Sequence, residues 1–151
     1  MEKLRIQTGV KTYEIEDENG NVLGTINIYP RDFNIGKRAK EAQKKIEEYI
    51  NEAEILAVEN EEDAIDKITE IDNKIKEQLD YIFNSNVSET VFKGLHCLDV
   101  VASTGKYFIE SFLDTILPVI SKELDAAVKA SEKNIEQYTG QVKKYDRRTA
   151  N

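Results

Sequence analysis

The residues of this 151-residue chain best suited to chemistry are two neighbours, His96 and Cys97, each the only one of its type. A thiol and an imidazole could act as nucleophile and base, or as two metal ligands. Neighbouring residues on a helix, however, point about 100° apart and do not face each other. No second histidine or cysteine exists to complete a site or a disulfide. The pair therefore predicts an ordinary histidine and a buried thiol in a packed helix, with no catalytic residue, metal or cofactor.

Acidic side chains crowd one stretch of the chain, where nine acidic and three basic residues lie between positions 61 and 90. Those that could suggest a cation site are Glu61, Glu62, Asp63, Asp66, Glu70 and Asp72. The stretch lacks the alternating oxygen ligands and central glycine of a calcium loop. We therefore expect a solvated helix face whose acidic residues suit the helix N-terminus.

Two further patterns could bind phosphate or nucleic acid. Gly20 and Gly24 fall within a predicted β-hairpin rather than between a strand and a helix, so they do not form a phosphate loop. A basic patch near the C-terminus consists of Lys143, Lys144, Arg147 and Arg148. The patch could contact an acidic partner, but the chain carries a net charge of −8, which disfavours nucleic acid. A solvated tail is the expected role of these residues.

The composition favours one domain rich in long, solvated helices. Hydrophobic residues make up 40% of the chain and charged residues 33%, with no tryptophan and two prolines. No apolar run approaches the roughly 18 residues that a membrane span needs. The N-terminus, MEKLRIQTG, has no hydrophobic signal core. We therefore expect a cytosolic protein that contacts neither membrane nor nucleic acid.

The N-terminal segment, residues 1–30, predicts a β-hairpin. Tyr13 and Ile15 alternate with polar residues, which is the period of a strand. Asn19-Gly20 suits a tight turn because both residues tolerate positive φ angles. A hairpin over residues 11–29 follows, and residues 3–8 are a candidate third strand. Because a lone hairpin is marginally stable in water, it must pack on helices of this chain or on another subunit.

A helical region is predicted over residues 31–140, beginning where Pro30 ends the strand and Asp32 can accept hydrogen bonds from free helix N–H groups. The first helix carries a heptad stripe of Ile35, Ala39, Ala42, Ile46, Tyr49, Ala53 and Leu56. A second helix over about 62–84 completes an antiparallel helical hairpin. The fold class expected is therefore α+β, mainly α.

Two more helices are expected after this hairpin. Ser88 is predicted to cap a short helix that ends near residues 103–105, and the last helix begins near Lys106. Pro118 should kink or divide that last helix. Residues 141–151 are polar and are predicted to form a frayed tail.

Seven residues are candidates for an interface with another polypeptide: Tyr107, Phe108, Phe112, Ile35, Ala39, Ala42 and Ile46. The aromatic trio is the most apolar feature of the chain, and the other four belong to the heptad stripe of the first helix. Core packing is the first expectation for both groups. Wherever they are exposed they would form an interface.

Three strings of the sequence resemble a family of small proteins encoded by tailed phages and prophages of Gram-positive bacteria: IYPRDFNIGKRAKEAQKKIEEYINEAEI, KIKEQLDYIFNSNVSETVFKG and FIESFLDTILPVI. The shared pattern is a Pro-x-Asp helix start at Pro30 and Asp32, a D-x-x-F-G/N stretch at residues 80–84, and an I-x-P-x-I-like end at residues 117–120. The resemblance covers most of residues 28–122. These proteins are similar to tail assembly chaperones of long-tailed phages.

The resemblance implies a role in phage tail morphogenesis within the host cytoplasm. A protein of this kind would hold the tape measure protein while tail tube subunits polymerise around it, without enzymatic activity. A homo-oligomer is expected as well, because the edge of the N-terminal hairpin could add a strand to a neighbouring copy. The acidic stretch supports an alternative, an acidic phage-encoded inhibitor of a host defence protein. A small enzyme is disfavoured because no nucleophile–base pair or metal set can be assembled from the sequence.

Overall fold

A computed structural model describes the backbone of residues 1–59 and 62–149, and the side chains of residues 1–59 and 62–135. Its fold is α+β and mainly α, as the sequence predicts. The elements in chain order are β1 (Lys11–Glu16), β2 (Val22–Ile28), α1 (Asn34–Glu59), α2 (Ala64–Phe83), α3 (Val87–Phe92), β3 (Val100–Val101), β4 (Lys106–Tyr107) and α4 (Phe108–Thr149).

The predicted N-terminal hairpin is confirmed. Strands β1 and β2 pair antiparallel, with Tyr13 opposite Ile26. In the turn, the Asp17 carboxylate accepts hydrogen bonds from two backbone N–H groups, and Gly20 has a φ of 82°. The candidate third strand is wrong, because residues 3–8 form no strand and their apolar side chains Leu4 and Ile6 are exposed.

Helices α1 and α2 form the predicted antiparallel hairpin. Arg38, near the start of α1, donates to the carbonyl oxygen of Ile82, near the end of α2, at 3.1 Å. The Asp32 carboxylate accepts from the backbone N–H of Asn34 at 3.2 Å and pairs with Arg38 at 2.6 Å. The switch from strand to helix therefore depends on Asp32, as predicted, and the same residue anchors Arg38 between the two helices.

The predicted helix ending near residues 103–105 is wrong. Helix α3 ends at Phe92, because Lys93 and Gly94 adopt positive φ angles of 51° and 81°. A loop and the short β3–β4 hairpin follow instead. The predicted cap is also wrong: Asn86 accepts from the Glu89 N–H, whereas Ser88 lies inside the helix.

Helix α4 begins at Phe108, two residues after the predicted start, and continues through Pro118 to Thr149. Pro118 therefore does not divide the helix, and the predicted kink stays a prediction. The boundary expected at residue 140 coincides with no helix end. Residues 150 and 151 of the predicted tail lie outside the described residues.

The hairpin seals one side of the helical core. Ile26 and Ile28 of β2 are buried among residues of α1, α2 and α3. Gly24 allows this approach, because a Cβ atom at its position would lie 2.5 Å from the Thr90 side chain of α3. The hairpin therefore packs on helices of its own chain, which is one of the two arrangements that the sequence left open.

Candidate functional site

The seven residues predicted as interface candidates lie in or against the core. Ile35, Ala39, Ala42, Ile46 and Phe112 are buried, while Tyr107 and Phe108 are partly buried and pack against them. In this fold the heptad stripe of α1 faces α2 and the rest of the core rather than solvent. The structure therefore gives these residues the packing role that was their first expectation. Tyr107 and Phe108 are the two of these seven residues that keep surface for an interface.

His96 and Cys97 lie in the loop after α3, not on a helix. Cys97 is fully buried, and its backbone N–H donates to the Asp72 carboxylate at 2.7 Å. Burial and the neighbouring Asp72 raise the pKa of the Cys97 thiol far above its ordinary value. His96 is half exposed, with Nδ1 3.7 Å from an oxygen of Asp72. The thiol is therefore buried, as predicted, and remains protonated, which makes it a poor nucleophile.

Asp72 is the polar residue that the sequence interpretation placed wrongly. Its side chain is buried rather than part of a solvated acidic face. Lys76, one turn further along α2, pairs with it at 2.9 Å. Burial raises the pKa of Asp72, but the hydrogen bonds from Lys76 and Cys97 outweigh burial and hold that pKa below its ordinary value. The carboxylate is therefore charged in the fold.

Asp72 links α2 to the start of α4. The Asp72 carboxylate accepts a hydrogen bond from the backbone N–H of Cys97. The carbonyl oxygen of Cys97 in turn accepts a hydrogen bond from the N–H of Ile109 at 3.0 Å. The carbonyl oxygen of Asp99 accepts from Phe108 at 2.8 Å. These bonds satisfy backbone donors in the first turn of α4 that have no partner within the helix. The sequence did contain a signal, because Asp72 lies four residues after Ile68 and three before Ile75, in the apolar stripe of α2.

The surroundings of His96 do not resemble an active site. A cavity of about 210 Å³ beside it is lined mainly by apolar side chains, including Leu23, Phe92 and Phe108. Cys97 and Asp72 do not line this cavity. Among the described residues, no group of three or more histidine, cysteine or acidic side chains could hold a metal ion. His96 thus lines the cavity, but the Cys97 thiol is not brought to it.

A groove with a largely apolar lining lies at the loop end of the α1–α2 hairpin. We call it the tip groove; it has a volume of about 510 Å³ and is lined by Ile50, Ala53, Glu54, Ala57, Val58, Ile68, Leu98 and Tyr107. Val58 is 85% exposed, and Ile55 beside it is 58% exposed. Ile65, one turn before Ile68 on α2, is 79% exposed. Large apolar side chains that remain exposed together mark a surface for another molecule.

Negative charge surrounds the tip groove. Between residues 52 and 70 the sequence has eight acidic residues and one lysine. Glu54, Glu59 and Asp66 are exposed. Tyr107 donates its hydroxyl hydrogen to Glu54 at 2.9 Å, which fixes one wall of the groove to α1. The groove therefore combines an apolar floor with an acidic rim.

Comparisons of the chain with protein-family models, with curated proteins and with solved structures find no match. No helix in the described part of the chain is both long enough and apolar enough to cross a membrane. What the protein can bind must therefore be argued from the tip groove and the surfaces around it.

Proposed function

We propose that this protein binds other polypeptides without carrying out a reaction, and that it receives an amphipathic helix of its partner in the tip groove. The observation that carries the proposal is the largely apolar lining of the tip groove, in which Val58 is exposed. Ile55 and Ile65, on the same two helices, are exposed as well. Helix-in-groove recognition uses such a surface, with apolar anchors of the incoming helix at positions i, i+3, i+4 and i+7.

The acidic rim defines the charge of the partner. A helix whose apolar stripe is flanked by lysine or arginine would place its positive charges beside Glu54, Glu59 and Asp66. Opposite charges at the rim of an interface speed association and select against the wrong partner more than they add affinity. A partner helix with acidic flanks would be repelled. The proposal therefore specifies a basic amphipathic helix.

The finer form of the proposal places this binding in the assembly of a phage tail in the host cytoplasm. The resemblance to tail assembly chaperones supports it, since a tape measure protein is a long helical chain that exposes apolar stripes before the tube forms around it. The alternative, an acidic inhibitor of a host defence protein, is less well supported. Asp72 and Asp80, two of the nine acidic residues between 61 and 90, bind groups of the protein itself.

Fluorescence anisotropy with two designed peptides tests the proposal. Both peptides carry the same leucine stripe, one with lysine flanks and one with glutamate flanks. We expect the lysine peptide to bind and the glutamate peptide to bind at least about tenfold more weakly. The double variant Val58→Gln, Ile65→Gln should weaken binding of the lysine peptide by a further factor of about ten or more, because each buried aliphatic side chain contributes about 1.5–3 kcal/mol.

Phe33→Gln is the matched control, because Phe33 is exposed to a similar degree at the opposite end of the α1–α2 hairpin. It should leave peptide binding unchanged. Equal weakening by the control, or no binding of either peptide, contradicts the proposed groove. For the finer form, the full-length chain should retain overlapping fragments of a tape measure protein with basic helical stripes. Retention of a basic host protein that is lost in salt and insensitive to the double variant would instead favour the inhibitor.

A further inference from the structure

Helix α4 is much longer than the core that it packs on. It contains 42 residues, which corresponds to about 63 Å at 1.5 Å per residue. Its buried side chains lie between Ile109 and Glu123. From residue 125 to residue 135 every side chain is exposed except that of Ala127, which is partly buried. Residues 125–135 of the helix therefore extend past the packed core.

The exposed half still carries an apolar stripe. Val128 and Ile135 are 44% and 59% exposed and lie seven residues apart, and Leu124 precedes them at the end of the packed region. In the sequence the same spacing continues at Tyr138, Val142 and Tyr145. If Val128 and Ile135 are heptad positions a, then Leu124 and Ser131 are positions d, so that Ser131 is the one polar residue at positions a and d between residues 124 and 145. Apolar residues at a and d over several heptads are the sequence pattern of a coiled coil.

We propose that the second half of α4 pairs with the same segment of a second copy of this chain, as a parallel two-stranded coiled coil. Within parallel coiled coils, valine or isoleucine at position a with leucine at position d, as at Leu124, favours two strands. A helix segment without tertiary contacts is marginally stable in water, and a second helix supplies the missing contact. This inference goes beyond the tip groove and does not depend on it.

Charge favours both the second copy and the parallel orientation. Residues 121–151 contain seven basic and five acidic residues, whereas the whole chain has a net charge of −8, so two copies repel each other least at this segment. Positions e hold Asp125 and Glu132, and positions g hold Ala127 and Asn134. In a parallel pair each e faces a g, so acids face neutral residues. In an antiparallel pair e faces e, and acids face acids.

Light scattering on the full chain, separated by size over concentrations up to about 200 µM, tests the pairing. We expect a dimer whose dissociation constant rises at least about 100-fold in Ile135→Glu, because a charge at position a would be buried at the seam. Ala130→Glu is the control: it adds the same charge to an exposed position of α4 away from the stripe. It should remain dimeric, and so should the Val58→Gln, Ile65→Gln variant.

Oxidative cross-linking tests the orientation. In a parallel, in-register pair, Val128→Cys places two thiols at one end of the seam and should give a disulfide-linked dimer. An antiparallel pair would hold these thiols apart, and Lys133→Cys on the outer side should not cross-link. The native Cys97 is buried and does not compete. A monomer at the highest concentration, a dimer insensitive to Ile135→Glu, or equal cross-linking of both cysteine variants overturns the proposal. A monomer that pairs through α4 only with a tail protein also overturns it.

Discussion

The start and the middle of helix α2 reverse the usual distribution of side chains. Ile65, in the first turn, is 79% exposed, whereas Asp72, two turns later, is 2% exposed. Isoleucine is among the residues most often buried, and aspartate is almost never buried unless it is paired. Each exception has its own explanation. Asp72 is paired with Lys76 and with the N–H of Cys97, while Ile65 has no such internal explanation.

The difference between Asp72 and Ile65 shows that α2 contributes both a buried polar site with a structural role and an apolar surface that is open to a partner. The groups around Asp72 satisfy one another and fix the loop from which α4 begins, so none of them is needed for binding. The residues around Ile65 leave apolar area exposed at an end of the fold that carries an acidic rim. The unusual chemistry in the core of this protein therefore indicates a stabilising role, whereas the unusual exposure at the tip is the basis of the proposed binding surface.

Removing the Asp72 carboxylate should have the largest effect on stability. Asp72→Ala leaves the partly buried Lys76 ammonium and the N–H of Cys97 without their acceptor. We expect a loss of about 3 kcal/mol in the free energy of unfolding, measured by urea denaturation. Glu77→Ala, an exposed acid on the same helix, should change it by less than about 0.5 kcal/mol. Similar small values for both variants would contradict the role given to Asp72.

The pH dependence of the unfolding free energy tests whether the charge of Asp72 is the cause of this stabilisation. Its pKa in the fold lies below the ordinary value of 3.8, so its contribution to stability is present above that value and is lost as the pH falls through the folded pKa. The difference in unfolding free energy between the wild type and Asp72→Asn should therefore shrink as the pH falls below about 4. A difference that stays constant into acid would mean that the shape of the side chain matters and its charge does not.

Gly24→Ala should have the next largest effect, where the hairpin meets α3. Gly24 has a φ of 152°, and a Cβ there would lie 2.5 Å from Cγ2 of Thr90. We expect destabilisation of about 2 kcal/mol from the strained backbone and the collision together. Gly20 also has a positive φ, but a Cβ atom there would have no neighbour within 4 Å, so Gly20→Ala should lower the unfolding free energy by less. Adding Thr90→Ser to Gly24→Ala removes Cγ2 and should restore part of the loss; no restoration would contradict the collision.

The sequence predicted the parts of the fold that depend on local patterns. Period-two alternation around Tyr13 and the Asn19-Gly20 turn predicted the hairpin, and the heptad stripe from Ile35 predicted the helical hairpin. The loop after Phe92 was missed because the apolar spacing of Val91, Leu95 and Leu98 fits a helix. Two positive φ angles and a carboxylate distant in sequence decide its course instead. The tip groove could not be predicted, because exposure of Val58 and Ile65 depends on where α4 and the β3–β4 hairpin leave them uncovered.

Ile65→Gln should have the smallest effect on stability. The side chain is mostly exposed, so replacing it removes little buried apolar area, and we expect a change below about 0.5 kcal/mol in urea denaturation. Ile71→Gln, fewer than two turns further along α2, is the matched comparison, because Ile71 is buried and should cost about 3 kcal/mol or more. Unchanged stability in Ile65→Gln combined with weaker binding of the lysine-flanked peptide would show that the start of α2 serves binding and that its middle serves stability. A loss of stability in Ile65→Gln close to that of Ile71→Gln would mean that Ile65 packs within the protein. This result would contradict the proposed binding surface at the tip groove.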